Sequence, residues 1–434
     1  MASGRFSISN KNKRAISFVW TGTLLGAVLG FGTQILLARG LGTEAFGAFS
    51  SALNLIGFIA PLAGFGVSNY WFKCFGEEGW SGVRWVKPSF RFVIFTTAIV
   101  ILSVNLWAWL GPNDRLSQNI LHFFSFTVLS TLVVELASAK YQLEERFALF
   151  SWVRLLPVLL RFLVVAFGVL ITSSLWGVEQ LAKAYWCIAI CISLLITPSL
   201  IKMWSGEILL KGHDSLEEPI KQNETIQASA VLNETWVFGV AGVLYLVWGQ
   251  GHVVLAKYTL GDHSAGIYSS ALVLINAICL LPSVGYSKFL LPKIHRWANH
   301  DVEKLKKVFQ AGNIIMFCLG GAGLIVAIVL SLWGINLIFG DQYAQAEIVI
   351  LILGVTLPIR FLGYSVGSLL VTKHYMKQKV KVMFFVAVLN VGLALLLMPY
   401  WGLHGLAITV VVCEAVLIAS YWRLVNRCYG NTWS

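Results

Sequence analysis

The sequence predicts an all-α integral membrane protein with twelve transmembrane helices, in two parallel six-helix repeats around a central cleft. Hydrophobic residues make up 57% of the 434 residues and charged residues only 12%, whereas soluble domains carry about 25% charged residues. The apolar residues come in blocks of about twenty, which is the length that crosses a bilayer core of about 30 Å as a helix. One short phrase also recurs near the start of each half of the chain.

Twelve apolar blocks are long enough to be spans. The first follows Arg5, Lys11, Lys13 and Arg14 and exceeds twenty residues. The apolar core of a cleaved signal has about 7–15 residues, so this block is predicted to be a retained span. The twelve predicted spans are 15–37, 45–66, 90–110, 118–139, 150–172, 181–202, 231–256, 265–287, 308–330, 344–370, 379–398 and 402–422.

The predicted membrane topology explains where the positively charged residues lie along the chain. The formal net charge is +12, from 32 Lys and Arg against 20 Asp and Glu. With the N-terminus inside, most of these cations fall in cytoplasmic segments, and the outer loops contain only Arg39, Arg115, Lys183 and Lys257. Because this bias follows the positive-inside rule, we expect both termini to be cytoplasmic. The basic residues then contact membrane lipids, and no nucleic acid partner is predicted.

The repeated phrase indicates an internal duplication. LGTEAFGAFSSAL at 41–53 matches LGDHSAGIYSSAL at 260–272 in seven of thirteen positions. A second echo pairs WGVEQLA at 176–182 with WGLHGLA at 401–407. Six spans per half would give both halves the same orientation, as in transporters built from parallel repeats with a substrate site between them. The predicted organisation is a six-helix bundle at 1–202, a cytoplasmic linker at 203–230 and a second bundle at 231–434.

The repeat also predicts local geometry. The first span of each half ends at a basic residue, Arg39 or Lys257. A tight glycine turn is expected next, at Gly42 and at Gly261, followed by a residue that can cap a helix. The small residues after it suit the close approach of membrane helices.

Several ionisable residues lie well inside the predicted spans, where they are costly and indicate function. Arg161 is near the middle of span five, with Arg154 seven residues earlier on the same face, and Arg360 is just past the middle of span ten. Guanidinium groups bind phosphate in bidentate fashion, so these arginines predict a net-positive cleft for an anionic substrate such as a diphosphate. Alternatively, Glu414 pairs with Arg360 or Arg161 and joins helices, while Arg154 and Glu135 extend to the inner interface.

Three residues are candidates for proton or cation coupling: Glu414 near the centre of span twelve, Glu135 near the inner end of span four and His252 toward the outer end of span seven. Acid and imidazole groups serve as relays in transporters. The chain has no G-x-x-x-x-G-K-[S/T] or H-E-x-x-H motif, so neither an ATP site nor a metal site is predicted, and no catalytic residue or cofactor is predicted.

Three segments carry a resemblance to a known family. LARGLGTEAFGAFSSAL at 37–53, IFGDQYAQAEIVILILG at 338–354 and LNVGLALLLMPYWGLHGLAIT at 389–409 resemble the O-antigen flippase family of polysaccharide export proteins. Its superfamily also includes multidrug and toxin extrusion transporters and murein lipid flippases. The resemblance implies a bacterial inner-membrane protein that moves undecaprenyl-diphosphate-linked oligosaccharide to the outer leaflet by alternating access, with an ion or proton gradient resetting the cycle.

The resemblance also implies site residues and partners. Arg39 stands at the family's common basic position after span one, and Lys257 is its counterpart, so both are candidate substrate-binding residues. A polysaccharide polymerase and a chain-length regulator are the implied protein partners. Relatives often carry an acidic residue in span seven, and this chain has His252 there, within WGQGHVVLAK.

The sequence argues against three other functions. A multidrug or organic-cation exporter of the same superfamily would need carboxylates in the cleft, whereas the deepest charges here are Arg161 and Arg360 against Glu414. A membrane polysaccharide polymerase or ligase would need a large outer loop, and the predicted outer loops are short. A scaffold without transport would not need charges near the midplane.

Overall fold

The computed structural model describes residues 10–171, 177–210, 227–285, 302–370 and 375–433, which are helical with short turns and contain no β-strand. Eight helices precede the linker: α1 (Asn10–Ile59), α2 (Pro61–Gly64), α3 (Val67–Glu78), α4 (Val86–Leu110), α5 (Arg115–Ser125), α6 (Thr127–Leu143), α7 (Phe147–Ile171) and α8 (Val178–Trp204). Seven follow it: α9 (Ala228–Leu260), α10 (Asp262–Gly285), α11 (Val302–Val329), α12 (Ile335–Phe339), α13 (Ala346–Gly354), α14 (Thr356–Leu369) and α15 (Met376–Trp433).

The helices confirm the all-α membrane class. Within the described residues, seven helical stretches are long and apolar enough to cross a membrane, or nine if two bent pairs each count as one span. Two of the seven stretches are longer than a single membrane crossing requires: Phe18–Leu110 has 93 residues and Gln378–Arg427 has 50. The first overlaps three of the predicted spans and the second contains two, and the described residues of the other predicted blocks are mainly helical.

Glycines mark the turns between spans inside the two longest helices. α1 is interrupted at Gly42 (φ 78°) and α15 at Gly402 (φ 55°). Gly261, the repeat equivalent of Gly42, has φ 90° between α9 and α10. Only glycine adopts such angles readily, so the structure confirms the predicted glycine turns at 42 and 261.

The chain forms two compact units. The first contains Met1–Leu36 and Ile59–Val243, and the second contains Leu37–Phe58 and Leu244–Ser434. The second part of α1 therefore packs with residues from the C-terminal half, and the start of α9 packs with residues from the N-terminal half. Of the predicted linker 203–230, residues 211–226 lie outside the described part of the chain.

In the first unit, α6 packs against α7 and α8 and brings their polar residues together. An aromatic cluster fills one end of this unit. Trp71 is fully buried and its ring centroid lies 5.6 Å from that of Phe90, which is equally close to Trp204. This cluster fixes α3, α4 and α8 and so positions the turn from which α3 begins.

In the second unit, two close helix crossings depend on glycine. A Cβ atom placed on Gly320 of α11 would lie 2.4 Å from Cα of Pro358 on α14. A Cβ on Gly47 would lie 1.8 Å from the carbonyl oxygen of Asp262, and one on Gly266 would lie 2.0 Å from that of Thr43. Backbones touch at both places, because small residues allow membrane helices to approach closely.

Candidate functional site

Arg161 in the first unit is a partly buried cation, and no described carboxylate pairs with it. It lies on α7, four residues after Pro157. Its Nε is buried and has no hydrogen-bond partner among the described residues, and no described carboxylate lies within 4.0 Å of its guanidinium group. Such a charge is costly in an apolar environment, so Arg161 is suited to binding an anion.

An aromatic ring faces this guanidinium. The guanidinium carbon of Arg161 lies 5.1 Å from the ring centroid of Tyr185 on α8. Tyr185 is buried and packs against Phe124, with 5.8 Å between ring centroids. A cation–π contact orients the arginine and leaves its N–H groups available for oxygen acceptors. Sequence reasoning missed Tyr185, because a tyrosine in an apolar span is usually a packing residue.

Arg154 and Glu135 lie in the same unit as Arg161. Arg154 is exposed, and its guanidinium carbon lies 5.2 Å from the ring centroid of Phe150, one turn earlier on α7. Glu135 on α6 accepts a hydrogen bond from Ser68 Oγ, with 2.5 Å between the oxygens. Arg154 is the cation that acts electrostatically on Glu135.

Arg360 and Glu414 form an ion pair in the second unit. Arg360 Nε on α14 donates to Glu414 Oε1 on α15 across 2.7 Å, and the two side chains are 19% and 7% exposed. The geometry matches the alternative in which Glu414 pairs with Arg360 and joins two helices. Arg360 is thus balanced by a carboxylate, whereas Arg161 has no such partner among the described residues.

His252 lies in the second unit on α9. Its side chain is buried, and its ring centroid lies 6.3 Å from that of Tyr268 on α10. Its role in ion coupling stays a prediction.

The two basic residues at the repeated turns each have local partners. Arg39 Nε donates to the carbonyl of Ile338 across 2.7 Å, and its Nη2 donates to the carbonyl of Leu337. These carbonyls end α12, where a cation complements the helix dipole. Lys257 Nζ donates to Asp262 Oδ1 across 2.6 Å. Both side chains therefore stabilise turns, and substrate binding by them stays a prediction.

The described residues contain no group of three or more His, Cys, Asp or Glu side chains arranged to bind a metal ion.

Comparison with known proteins identifies the family and the fold. A model of the family described as "Polysaccharide biosynthesis protein" matches residues 13–296. The capsular polysaccharide biosynthesis protein CapF of Staphylococcus aureus is 23% identical over 180 residues. That alignment covers 41% of this chain and 44% of CapF, less than half of either.

Solved structures show the fold. A multidrug resistance MATE family transporter of the MOP superfamily, in an inward-facing conformation, matches with a TM-score of 0.71 at 15% identity, over 97% of this chain and all of its own. The lipid II flippase MurJ, in an inward closed conformation, matches with a TM-score of 0.71 at 14% identity, over 95% of this chain and 87% of its own. A MOP superfamily transporter from Pyrococcus furiosus, described with a binding pocket of reverse polarity, matches with a TM-score of 0.60 at 15% identity, over 96% of this chain and 95% of its own.

Proposed function

The chain belongs to the polysaccharide biosynthesis protein family, and from that premise we propose that it is a flippase for undecaprenyl-diphosphate-linked oligosaccharide. It translocates this lipid from the inner to the outer leaflet of the bacterial inner membrane, by alternating access, for O-antigen or exopolysaccharide synthesis. Both termini are cytoplasmic in this proposal. A polysaccharide polymerase and a chain-length regulator act on the product.

The uncompensated charge of Arg161 is the observation that carries the proposal. A diphosphate is an anion that must cross an apolar layer, and a cation in a low-dielectric environment attracts it strongly. Arg161 presents planar N–H donors that match phosphate oxygens, and its contact with Tyr185 supplies no competing acceptor charge. Arg154 lies seven residues earlier on the same helix and adds positive charge on the inner side.

The multidrug exporter is the second candidate, because a multidrug transporter matches this fold as well as MurJ does. A binding site for organic cations needs carboxylates that are not already paired with other groups of the protein. Here Glu414 is bound by Arg360 and Glu135 accepts from Ser68. The charge near the middle of the first unit is positive, and this favours an anionic cargo.

The test begins with deletion of the gene in its parent organism. Polyprenyl-linked sugars extracted from the inner membrane are identified by mass spectrometry, and their leaflet is determined. Accumulation of one lipid-linked oligosaccharide on the cytoplasmic leaflet supports the proposal and identifies the cargo. Accumulation on the outer leaflet would indicate a polymerase or ligase. No accumulation, with new sensitivity to cationic dyes, would indicate drug export.

Variants of Arg161 test the site. Arg161→Ala and Arg161→Met should restore glycan export to the deletion strain poorly, while Arg161→Lys, which keeps the charge, should restore part of it. Arg91→Gln is the matched control, because Arg91 is an exposed arginine on α4 in the same unit. Full export by Arg161→Met, with normal membrane insertion, would remove Arg161 from the substrate site.

A further inference from the structure

In the first unit, the turn before α3 touches the start of α9 through two glycines. Gly66 has φ 81°, and a Cβ atom placed on it would lie 2.7 Å from the backbone nitrogen of Gly239. A Cβ on Gly239 would lie 2.8 Å from the ring of Phe65. Neither position has room for a methyl group, so the two backbones are in direct contact. We call this contact the inner crossing.

An ion pair lies beside the inner crossing. Lys73 Nζ on α3 lies 3.5 Å from Glu234 Oε2 on α9, and both side chains are more than 40% exposed. Such an exposed pair contributes little to stability. Positions 73 and 234 can instead report whether the inner crossing is closed, because they face each other only in that state.

The inner crossing joins the two predicted repeats. It connects the end of span two to the start of span seven, and the predicted topology places both on the cytoplasmic side. A lipid-linked cargo that enters from the cytoplasmic leaflet requires the repeats to separate on that side. The crossing is therefore positioned as the contact that opens at the entry step.

The carboxylate of Glu135 lies beside the same turn. One oxygen accepts the hydrogen bond from Ser68 Oγ, at the first turn of α3. The other oxygen lies 3.5 Å from the place where a Cβ of Gly64 would be, at the end of α2. Among the described residues, Arg154 on α7 is the only charged group that acts on this carboxylate. Glu135 therefore bonds one flank of the segment that presents Gly66 to Gly239 and lies close to the other flank.

We propose that the inner crossing is a gate on the cytoplasmic side and that Glu135 is its positioning residue, acting through Ser68. The inference deepens the proposed flippase function and rests on it, because it assigns the ion-coupling step to this carboxylate. The charged form accepts a charge-assisted hydrogen bond and keeps the turn against α9. Neutralisation weakens that bond and releases the crossing.

Cysteine cross-linking in membrane vesicles tests the gate without any glycan. Lys73→Cys and Glu234→Cys are introduced together in a full-length chain whose native cysteines are replaced by alanine. The rate at which a short bifunctional thiol reagent joins them reports the closed fraction. Glu135→Gln mimics the neutral carboxyl, and Ser68→Ala removes the donor. Each should lower the rate by about tenfold, the ratio that corresponds to about 1.4 kcal/mol.

Matched controls are available in the same unit. Glu179→Gln neutralises a carboxylate at the start of α8, where it accepts from Asn119. Ser138→Ala removes a buried hydroxyl from α6, one turn after Glu135. Gly239→Ala should hold the crossing open, whereas Gly242→Ala, with nothing within 4 Å of its Cβ, should not.

A lower rate in Glu135→Gln and Ser68→Ala, with wild-type rates in Glu179→Gln and Ser138→Ala, supports the proposal. Wild-type rates in both test variants overturn it, and so does an equal fall in test and control variants. Because the readout needs no cargo, its failure leaves the flippase proposal standing. Conversely, a drug-export result in the lipid analysis leaves the cross-linking result valid as a property of the gate.

Discussion

Gly320 and Gly321 are neighbours on α11 with opposite surroundings. A Cβ on Gly320 would lie 2.4 Å from Pro358 Cα and 2.9 Å from the carbonyl oxygen of Leu357, whereas a Cβ on Gly321 has no described atom within 4 Å. Ordinary contact begins at 3.4 Å, so Gly320→Ala must move α11 and α14 apart by about 1 Å in a closely packed interior. The same movement shifts Arg360, which lies two residues after Pro358 on α14 and pairs with Glu414 on α15.

The two alanine variants should therefore differ in stability with opposite signs. Overpacking typically costs about 1–3 kcal/mol, and alanine returns up to about 1 kcal/mol of helix propensity over glycine. Gly320→Ala should thus be less stable than wild type by about 1–2 kcal/mol, and Gly321→Ala slightly more stable. For a unit of this size, the Tm of Gly320→Ala should lie about 4 °C or more below that of Gly321→Ala.

Thermal unfolding of the purified proteins in one detergent measures this difference. Expression and membrane insertion are compared first, because both variants must reach the membrane. Equal Tm values for the two variants would show that α11 and α14 can separate at no cost, and would refute the close crossing as the feature that positions Arg360.

Three further predictions concern other contacts. Glu414→Gln leaves Arg360 as a buried unpaired cation and should destabilise the protein by about 3–5 kcal/mol; the double variant Arg360→Met with Glu414→Met should recover most of the loss in thermal unfolding, and no recovery would argue against a structural pair. Gly47→Ala should lower Tm by more than Gly363→Ala, which has open space around its Cβ, and similar Tm values would contradict the backbone contact. Arg39→Gln should cost about 1 kcal/mol by removing a cation from the end of α12, measured by the same thermal assay; a larger loss of export than of stability would instead indicate contact with substrate.

The sequence predicted the spans and their breaks well, because both depend on local chemistry. Blocks of apolar residues set the helices, and the positive φ angles at Gly42 and Gly261 follow from the small number of conformations that a tight turn allows. Single residues that interrupt a helix can be recognised without knowledge of the rest of the chain.

The partners of the charged residues could not be predicted in the same way. Arg360 and Glu414 are 54 positions apart, and Arg161 and Glu414 were equally acceptable as a pair until the rotation of each helix was known. Tyr185 gave no signal, because its contact with Arg161 depends on how α7 and α8 pack. The contact between Ser68 and Glu135 likewise required the turn before α3 to be placed against α6.

The packing of residues 37–58 with the second unit was also outside the reach of sequence reasoning. The repeat indicated two halves of equal length, and a duplication alone does not show which helices cross from one half to the other. The six-helix bundles at 1–202 and 231–434 stay a prediction. The compact units are a statement about packing, and the two need not coincide.

The contact between Gly47 and Gly266 has a consequence for how such a chain could arise. Position 47 of the first repeat meets position 266 of the second, its own counterpart, and each approaches the carbonyl that follows the other repeat's glycine turn. A reciprocal contact of this kind is what a twofold homodimer makes on its symmetry axis. Two identical six-span chains could have formed it before they were joined. The fused chain would then have kept an interface that already existed. Either glycine could later have been replaced by a larger residue only if the helix that faces it moved away.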